Sequence, residues 1–178
     1  MKKKWLCVFC GASTGNNPKF MEMGYQLGKL MAEKNIGLVY GGATVGVMGA
    51  LANGVLDHGG GAIGVMPEHL INYEIAHDNL TEFIKVPDMH TRKKTMYEKS
   101  DYFLTLPGGM GTLDEMFEIL TWAQLKLHHK PCYIFNYEGF YDSLLEHLKT
   151  IHREGFMKKE NLELLTEVNT LEEIANFF

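Results

Sequence analysis

Cysteine is scarce in this chain, at three residues, and tryptophan and proline are scarce too, at two and five. Cys7, Cys10 and Cys132 are too few, and odd in number, to form a disulfide framework. Cys7 and Cys10 make a C-x-x-C, but it falls in a short apolar stretch that reads as a strand. Residues three apart on a strand point to opposite faces. A redox pair instead sits near a helix N-terminus, where the dipole lowers a thiol pKa. A zinc site needs a second Cys/His pair at suitable spacing, and the sequence offers none. The three thiols therefore read as buried apolar groups. The eight histidines form no H-x-x-x-H pair, so no metal is expected.

Positive charge is also in deficit. Lys and Arg number 17 against 22 Asp and Glu, a formal charge of -5. General nucleic-acid binders neutralise phosphates with a basic excess, so nucleic acid is not an expected partner. No apolar run approaches the roughly 20 residues that span a bilayer. Met1 to Lys4 resembles the basic start of a signal peptide, but the apolar stretch from Trp5 stops at Gly11, too soon for a signal core. A cytoplasmic protein with no membrane partner is expected. At 178 residues, 46% hydrophobic and 22% charged, the chain can bury a core without staples and reads as one domain, 1–178.

Glycine, in contrast, is plentiful, at 19 residues, and it gathers at the ends of apolar runs. Strands are predicted at Trp5–Cys10, Ile36–Tyr40, Ala62–Met66, Phe83–Val86, Asp101–Leu106 and Pro131–Asn136, with a short one near Val168. Between them fall helical patterns: one opened by Asn17 and Pro18, then Gly46–His58, His90–Lys99, Thr112–Leu127, Tyr141–Glu154 and one from Leu171. The segment from Glu68 to Leu80 reads as irregular. This rhythm predicts an α/β fold with a parallel sheet covered on both faces. Ligands of such sheets bind outside the carboxyl ends of the strands.

Three glycine-rich segments occupy such ends. Pro107-Gly108-Gly109-Met110-Gly111-Thr112 follows a strand and opens a helix, where free amides and a hydroxyl suit a phosphate. It is neither a dinucleotide fingerprint nor a Walker loop. Gly41-Gly42-Ala43-Thr44-Val45-Gly46 repeats the strand–glycine–helix arrangement, and Gly11-Ala12-Ser13 offers a hydroxyl on Ser13. Two charged groups stand beside them. Asp88-Met89-His90-Thr91-Arg92-Lys93-Lys94 holds three adjacent cations in an acidic chain, and a guanidinium fork suits a phosphate or carboxylate. Asp114, Glu115 and Glu118 read as acids of a first helical turn, where carboxylates complement the dipole.

Met89-His90-Thr91-Arg92-Lys93, followed by Pro107-Gly108-Gly109-Met110-Gly111-Thr112-Leu113-Asp114-Glu115, closely resembles the paired motifs M-H-x-R-K and P-G-G-x-G-T-x-x-E of the LOG ("lonely guy") family. The resemblance extends over Cys10-Gly11-Ala12-Ser13, the Gly41-Gly42 loop, Ile63–Pro67 and Thr121–Leu125. It implies a Rossmann-like parallel sheet sandwiched between helices, a homodimer, and no cofactor. It implies hydrolysis of AMP or N6-substituted AMP to free base and ribose 5-phosphate, the activity of a cytokinin riboside 5'-monophosphate phosphoribohydrolase. The family's catalytic pair falls on Arg92 and Glu115. Its phosphate loop falls on Gly108, Gly109, Gly111 and Thr112, and its substrate contacts on Glu74, Met89, Lys93 and Thr121. Ser13, Gly42 and Asp114 complete the expected binding set. One departure is Asp114, where the motif often carries Glu.

A carboxylate under the sugar can stabilise the cation that develops at C1' and orient a water, the role expected of Glu115. Arg92 is expected to bind the phosphate or to answer charge on ribose or base. Other readings use the same glycines differently. A non-catalytic carrier of a phosphorylated ligand, such as molybdenum cofactor, would need no acid at 115. A nicotinamide oxidoreductase lacks its fingerprint here. Chains of this kind are often labelled lysine decarboxylases, but no strong candidates for a Schiff-base lysine and a ring-nitrogen partner are evident.

Overall fold

The computed structural model of the chain describes residues 3–71 and 77–177. Seven strands form one sheet: β1 (Lys4–Phe9), β2 (Ile36–Tyr40), β3 (Ala62–Pro67), β4 (Glu82–Val86), β5 (Tyr102–Thr105), β6 (Cys132–Phe135) and β7 (Leu165–Val168). Their order is β4-β3-β2-β1-β5-β6-β7, and every pairing is parallel. Parallel neighbours need crossovers, and helices supply them: α1 (Lys19–Glu33), α2 (Gly46–Asp57), α3 (Met89–Glu98), α4 (Met110–Gln124), α5 (Asp142–Arg153), the single turn α6 (Lys159–Leu162) and α7 (Leu171–Ala175). Short 3-10 turns occur at Glu68–Leu70 and Tyr137–Gly139. The first lies inside the segment read as irregular; it and α6 have no clear periodic signal because each is a single turn.

Strand alternation sorts the core into two layers. Leu6, Val8 and Cys10 pack with α1, α2 and α7, while Cys7 and Phe9 pack with α3, α4 and the start of α5. The C-x-x-C therefore splits across the sheet, as its spacing predicts. Strands β2 and β3 are buried at every position, which is why they read as unbroken apolar runs. On the first face α1 and α2 lie very close. A Cβ at residue 28 would stand 2.2 Å from Leu51 O, and one at residue 54 would stand 2.1 Å from Tyr25 O. Gly28 and Gly54 thus allow helix backbones to touch.

Helix starts differ from the sequence reading by one or two residues, and two of the differences have a local cause. Helix α1 begins at Lys19 with Pro18 at the cap position, and Asn17 Oδ1 still accepts the Lys19 amide, at 3.0 Å. Helix α4 begins at Met110 rather than Thr112, capped by the extended Gly109. No polar side chain marks that start, so periodicity placed it one half-turn late.

The strand order reverses at β1. The chain steps outward from β1 to the β4 edge, then returns with β5 on the other side of β1. Connections leaving β1 and β5 diverge to opposite faces, which opens a crevice at their carboxyl ends.

Candidate active site

A cavity of about 450 Å³ occupies that crevice. The β1 loop (Cys10 to Gly15), Pro107, Gly108, Gly109, Gly111 and Thr112 of the β5 loop, Met89 and Arg92 of α3, and Asp114 and Glu115 of α4 line it, with Phe20, Val47, Met48 and Phe140 completing the wall. The two loops meet directly. Gly11 N–H donates to Pro107 O at 3.3 Å, and a Cβ at residue 11 would lie 3.4 Å from Gly108 Cα.

The β5 loop has the form of an anion site. The first bond of α4 runs from Leu113 N–H to Gly109 O (3.2 Å), so the amides of Met110, Gly111 and Thr112 have no acceptor within the helix. Gly108 is held by packing: a Cβ there would strike Thr112 Oγ1 at 2.1 Å and Gly11 N at 2.9 Å. Gly109 and Gly111 are different. A Cβ at either would meet nothing within 4 Å, and neither has a positive φ. Neither packing nor backbone conformation within the chain calls for glycine there. The open space in front of them leaves room for a ligand to approach the backbone closely.

The second glycine-rich loop does another job. The first amides of α2 are already taken, Val47 N–H by Ser13 O (3.4 Å) and Met48 N–H by Gly11 O (3.2 Å). Gly46 adopts φ +62 against Ala12, and Gly42 adopts φ +85 against Gly64. Gly42 is buried and does not line the cavity. Gly41 leaves room for Arg92: a Cβ at residue 41 would stand 2.1 Å from Arg92 Nη2.

Arg92 is only 5% exposed. Its Nε donates to Val65 O at 3.1 Å and its Nη2 to Gly41 O at 3.4 Å, so the ends of β3 and β2 hold the side chain in place. Among the described residues no carboxylate pairs with it. A buried guanidinium held by carbonyls is costly unless an anion completes it. Its helix is fixed by Asp88, whose side chain caps α3 by accepting the Thr91 amide at 2.8 Å. That bond, chiefly, lowers the Asp88 pKa.

Glu115 lies on the second turn of α4, half-buried, facing the same cavity. The first turn of α4 holds no acid. This corrects the sequence reading: Asp114 and Glu115 stand too far along the helix to serve mainly as dipole partners, an effect confined to the end turn. Both charged groups act on Cys10 at the end of β1. Burial pushes this thiol far up, the Glu115 carboxylate adds to the rise, and the Arg92 guanidinium opposes it.

The three adjacent cations separate into three environments. Arg92 turns inward, while Lys94 stays at the surface with Glu98 at 3.9 Å. Lys93 crosses to α4, with Nζ 3.0 Å from Asp114 Oδ2 and 2.5 Å from Glu118 Oε2. Burial alone would lower the Lys93 pKa, but the bonds to these two acids outweigh it and hold the ammonium above its ordinary range.

Of the residues expected from sequence, the fold gathers Ser13, Met89, Arg92, Gly108, Gly109, Gly111, Thr112, Asp114 and Glu115 around one cavity. Gly42, Lys93 and Thr121 do not line it within this chain. Thr121 is exposed on α4, its hydroxyl donating to Phe117 O at 2.7 Å. Glu74 lies outside the described residues. The sequence reading missed the aromatic wall. Phe20 and Phe140 meet edge to face at 5.6 Å, brought together by Asn17 and Lys19 pairing with Glu138. No local pattern joins positions so far apart. The signal available was two aromatics beside turn residues.

Residues 48–177 match a family model described as "Possible lysine decarboxylase". Over 174 residues the chain is 40% identical to a cytokinin riboside 5'-monophosphate phosphoribohydrolase of Arabidopsis thaliana, covering 98% of this chain and 82% of that one. It is 46% identical over 155 residues to the protein of that name from Rhodococcoides fascians, covering 86% and 78%. The chain belongs to the LOG family. Its fold is also that of a molybdenum cofactor binding protein from Rippkaea orientalis, with TM-score 0.75 and 24% identity over 99% of this chain and 96% of that one. At that identity the likeness concerns the fold alone. As for the decarboxylase description of this LOG-family chain, no lysine lines the cavity among the described residues, so a Schiff-base cofactor would find no amine there.

Proposed function

We propose that this protein hydrolyses the bond between base and ribose in a nucleoside 5'-monophosphate, AMP or an N6-substituted AMP, giving free base and ribose 5-phosphate. One observation carries the reading. Free amides at the start of α4, two glycines fronting open space, a buried guanidinium with no carboxylate partner among the described residues, and the Glu115 carboxylate all face one cavity. The 5'-phosphate binds the amides of Met110, Gly111 and Thr112. The ribose then lies over Glu115, one turn further along α4. As the C1'–N9 bond breaks, its electron pair leaves with the base, and Glu115 stabilises the positive charge left at C1'. Water adds to C1', its proton passes to the Glu115 carboxylate, and the departing base takes up a proton in exchange through solvent, so that free base and ribose 5-phosphate result. Arg92 supplies fixed positive charge for the phosphate or for the departing base. No cofactor takes part.

In the same reading the protein is a cytoplasmic homodimer. Met110 and Phe117 on α4 and Leu125 at its C-cap continue one helical face and are 84%, 37% and 62% exposed. Positions seven or eight apart form one helical stripe, a fitting seam for a second copy. Thr121 lies on the same stripe, where contact with substrate would pass through the dimer.

The test is chromatographic. Purified protein is incubated with AMP and, separately, N6-isopentenyl-AMP, and free base and ribose 5-phosphate are quantified. Release from either, reduced by about 10²-fold or more in Glu115→Gln, is expected. Adenosine should be a poor substrate, because it cannot use the loop. Nucleotide binding without release would instead make this chain a carrier.

A further inference from the structure

Tyr141 lies behind the phosphate loop, not in the cavity. It caps α5 and is 3% exposed. Its hydroxyl donates to Leu106 O at 2.7 Å. Burial drives the pKa of this hydroxyl up, and the Gly108 backbone amide facing the hydroxyl oxygen pulls the other way. Leu106 and Gly108 flank Pro107, which has no N–H of its own to tie the turn down. One phenol therefore bridges both sides of the residue that leads into the glycines.

Tyr141 is itself held firmly. Asn136, 5% exposed at the end of β6, accepts the Tyr141 amide at 2.7 Å. The Asn136 side-chain amide donates to Asp142 Oδ1 and Glu167 Oε1, both at 2.8 Å. A chain of hydrogen bonds thus runs from β7 through the end of β6 to the loop after β5. A buried phenol hydroxyl costs free energy unless bonded. Here its donated bond goes to the loop.

We propose that Tyr141 is a positioning residue, whose hydroxyl holds the Leu106–Gly108 turn in the shape that presents the α4 amides to phosphate. This rests on the phosphate reading of the loop given above. It separates the roles of two adjacent residues: Phe140 supplies cavity wall and Tyr141 supplies the strut.

Tyr141→Phe keeps the ring and removes only the hydroxyl. The expected result, by calorimetry, is ribose 5-phosphate binding weaker by about tenfold, the effect of one lost hydrogen bond with its partners left unmet. KM for AMP rises while the low efficiency on adenosine, which carries no phosphate, stays unchanged. The Gly108 amide exchanges faster with solvent by NMR. A merely structural loss would lower both substrates alike. Wild-type affinity for ribose 5-phosphate in the variant, with Gly108 still protected, would overturn the role of Tyr141 alone. Failure of the wild-type protein to bind ribose 5-phosphate would overturn the phosphate reading and this inference with it. Should Tyr141→Phe not fold, Asp142→Ala loosens Asn136 from the exposed side and is expected to weaken ribose 5-phosphate binding in the same direction.

Discussion

Gly41 and Arg92 fit as seat and occupant: a Cβ at residue 41 would stand 2.1 Å from the guanidinium Nη2, which donates to the Gly41 carbonyl at 3.4 Å. The glycine is required by a buried side chain, not by a turn. Gly41→Ala should therefore displace Arg92 while the fold persists. Activity should fall by about 10²-fold, comparable with loss of one preorganised charge, with destabilisation of about 1–3 kcal/mol from overpacking. Steady-state kinetics beside thermal unfolding check this. Near-normal turnover in Gly41→Ala would show that Arg92 acts without this seat.

Gly111 separates stability from function. It lies in the first turn of α4 with open space before it. Gly111→Ala should leave the ligand-free protein as stable or up to about 1 kcal/mol more stable, since alanine favours helix. Affinity for ribose 5-phosphate should nevertheless drop, because the methyl group occupies the anion's approach. Gly108→Ala should do the reverse first, destabilising the fold through its clash with Thr112. Melting curves with and without ligand distinguish the two.

Lys93 links α3 to α4 through Asp114 and Glu118. Its folded pKa is raised, so its stabilisation is complete below the unfolded lysine value of about 10.4 and disappears as pH climbs through the higher folded value. Asp114 is 59% exposed and screens poorly from water, so Lys93→Met should cost about 1 kcal/mol at neutral pH. Urea titrations should find that difference steady across neutral pH and shrinking in strongly alkaline solution. A difference that vanishes near neutrality would contradict the raised pKa.

The thiols should be inert in the native state. All three are buried, and burial raises each, Cys132 to about 12. Thiolate is the reactive form. A chromogenic disulfide reagent should react slowly with folded protein and with three thiols after denaturation. Rapid native labelling of Cys10, the one that lines the cavity, would show an opening motion there.

Much of the fold was legible because parallel strands and their covering helices impose simple periodicities. Buried strands such as Ile36–Tyr40 read as unbroken apolar runs, and α1 repeats its buried residues at helical spacing. The start of α4 was misread by two residues because glycine caps it without a side-chain signal. That small error had a chemical consequence, since it placed Glu115 in the wrong turn.

The sequence by itself determined which residues could carry the chemistry: the Pro107–Thr112 loop, Arg92 and Glu115, each chosen by side-chain type and place after a strand. Only the tertiary structure decided what each one meets. It turned Arg92 inward and Lys93 across to α4, spent the amides of α2 on the β1 loop, left those of α4 open, and put Tyr141 behind Gly108. Local sequence sets backbone preference and polarity over a few residues. Burial, charge pairing and hydrogen-bond supply depend on which distant strands become neighbours, and that is settled by the return of the chain to β1.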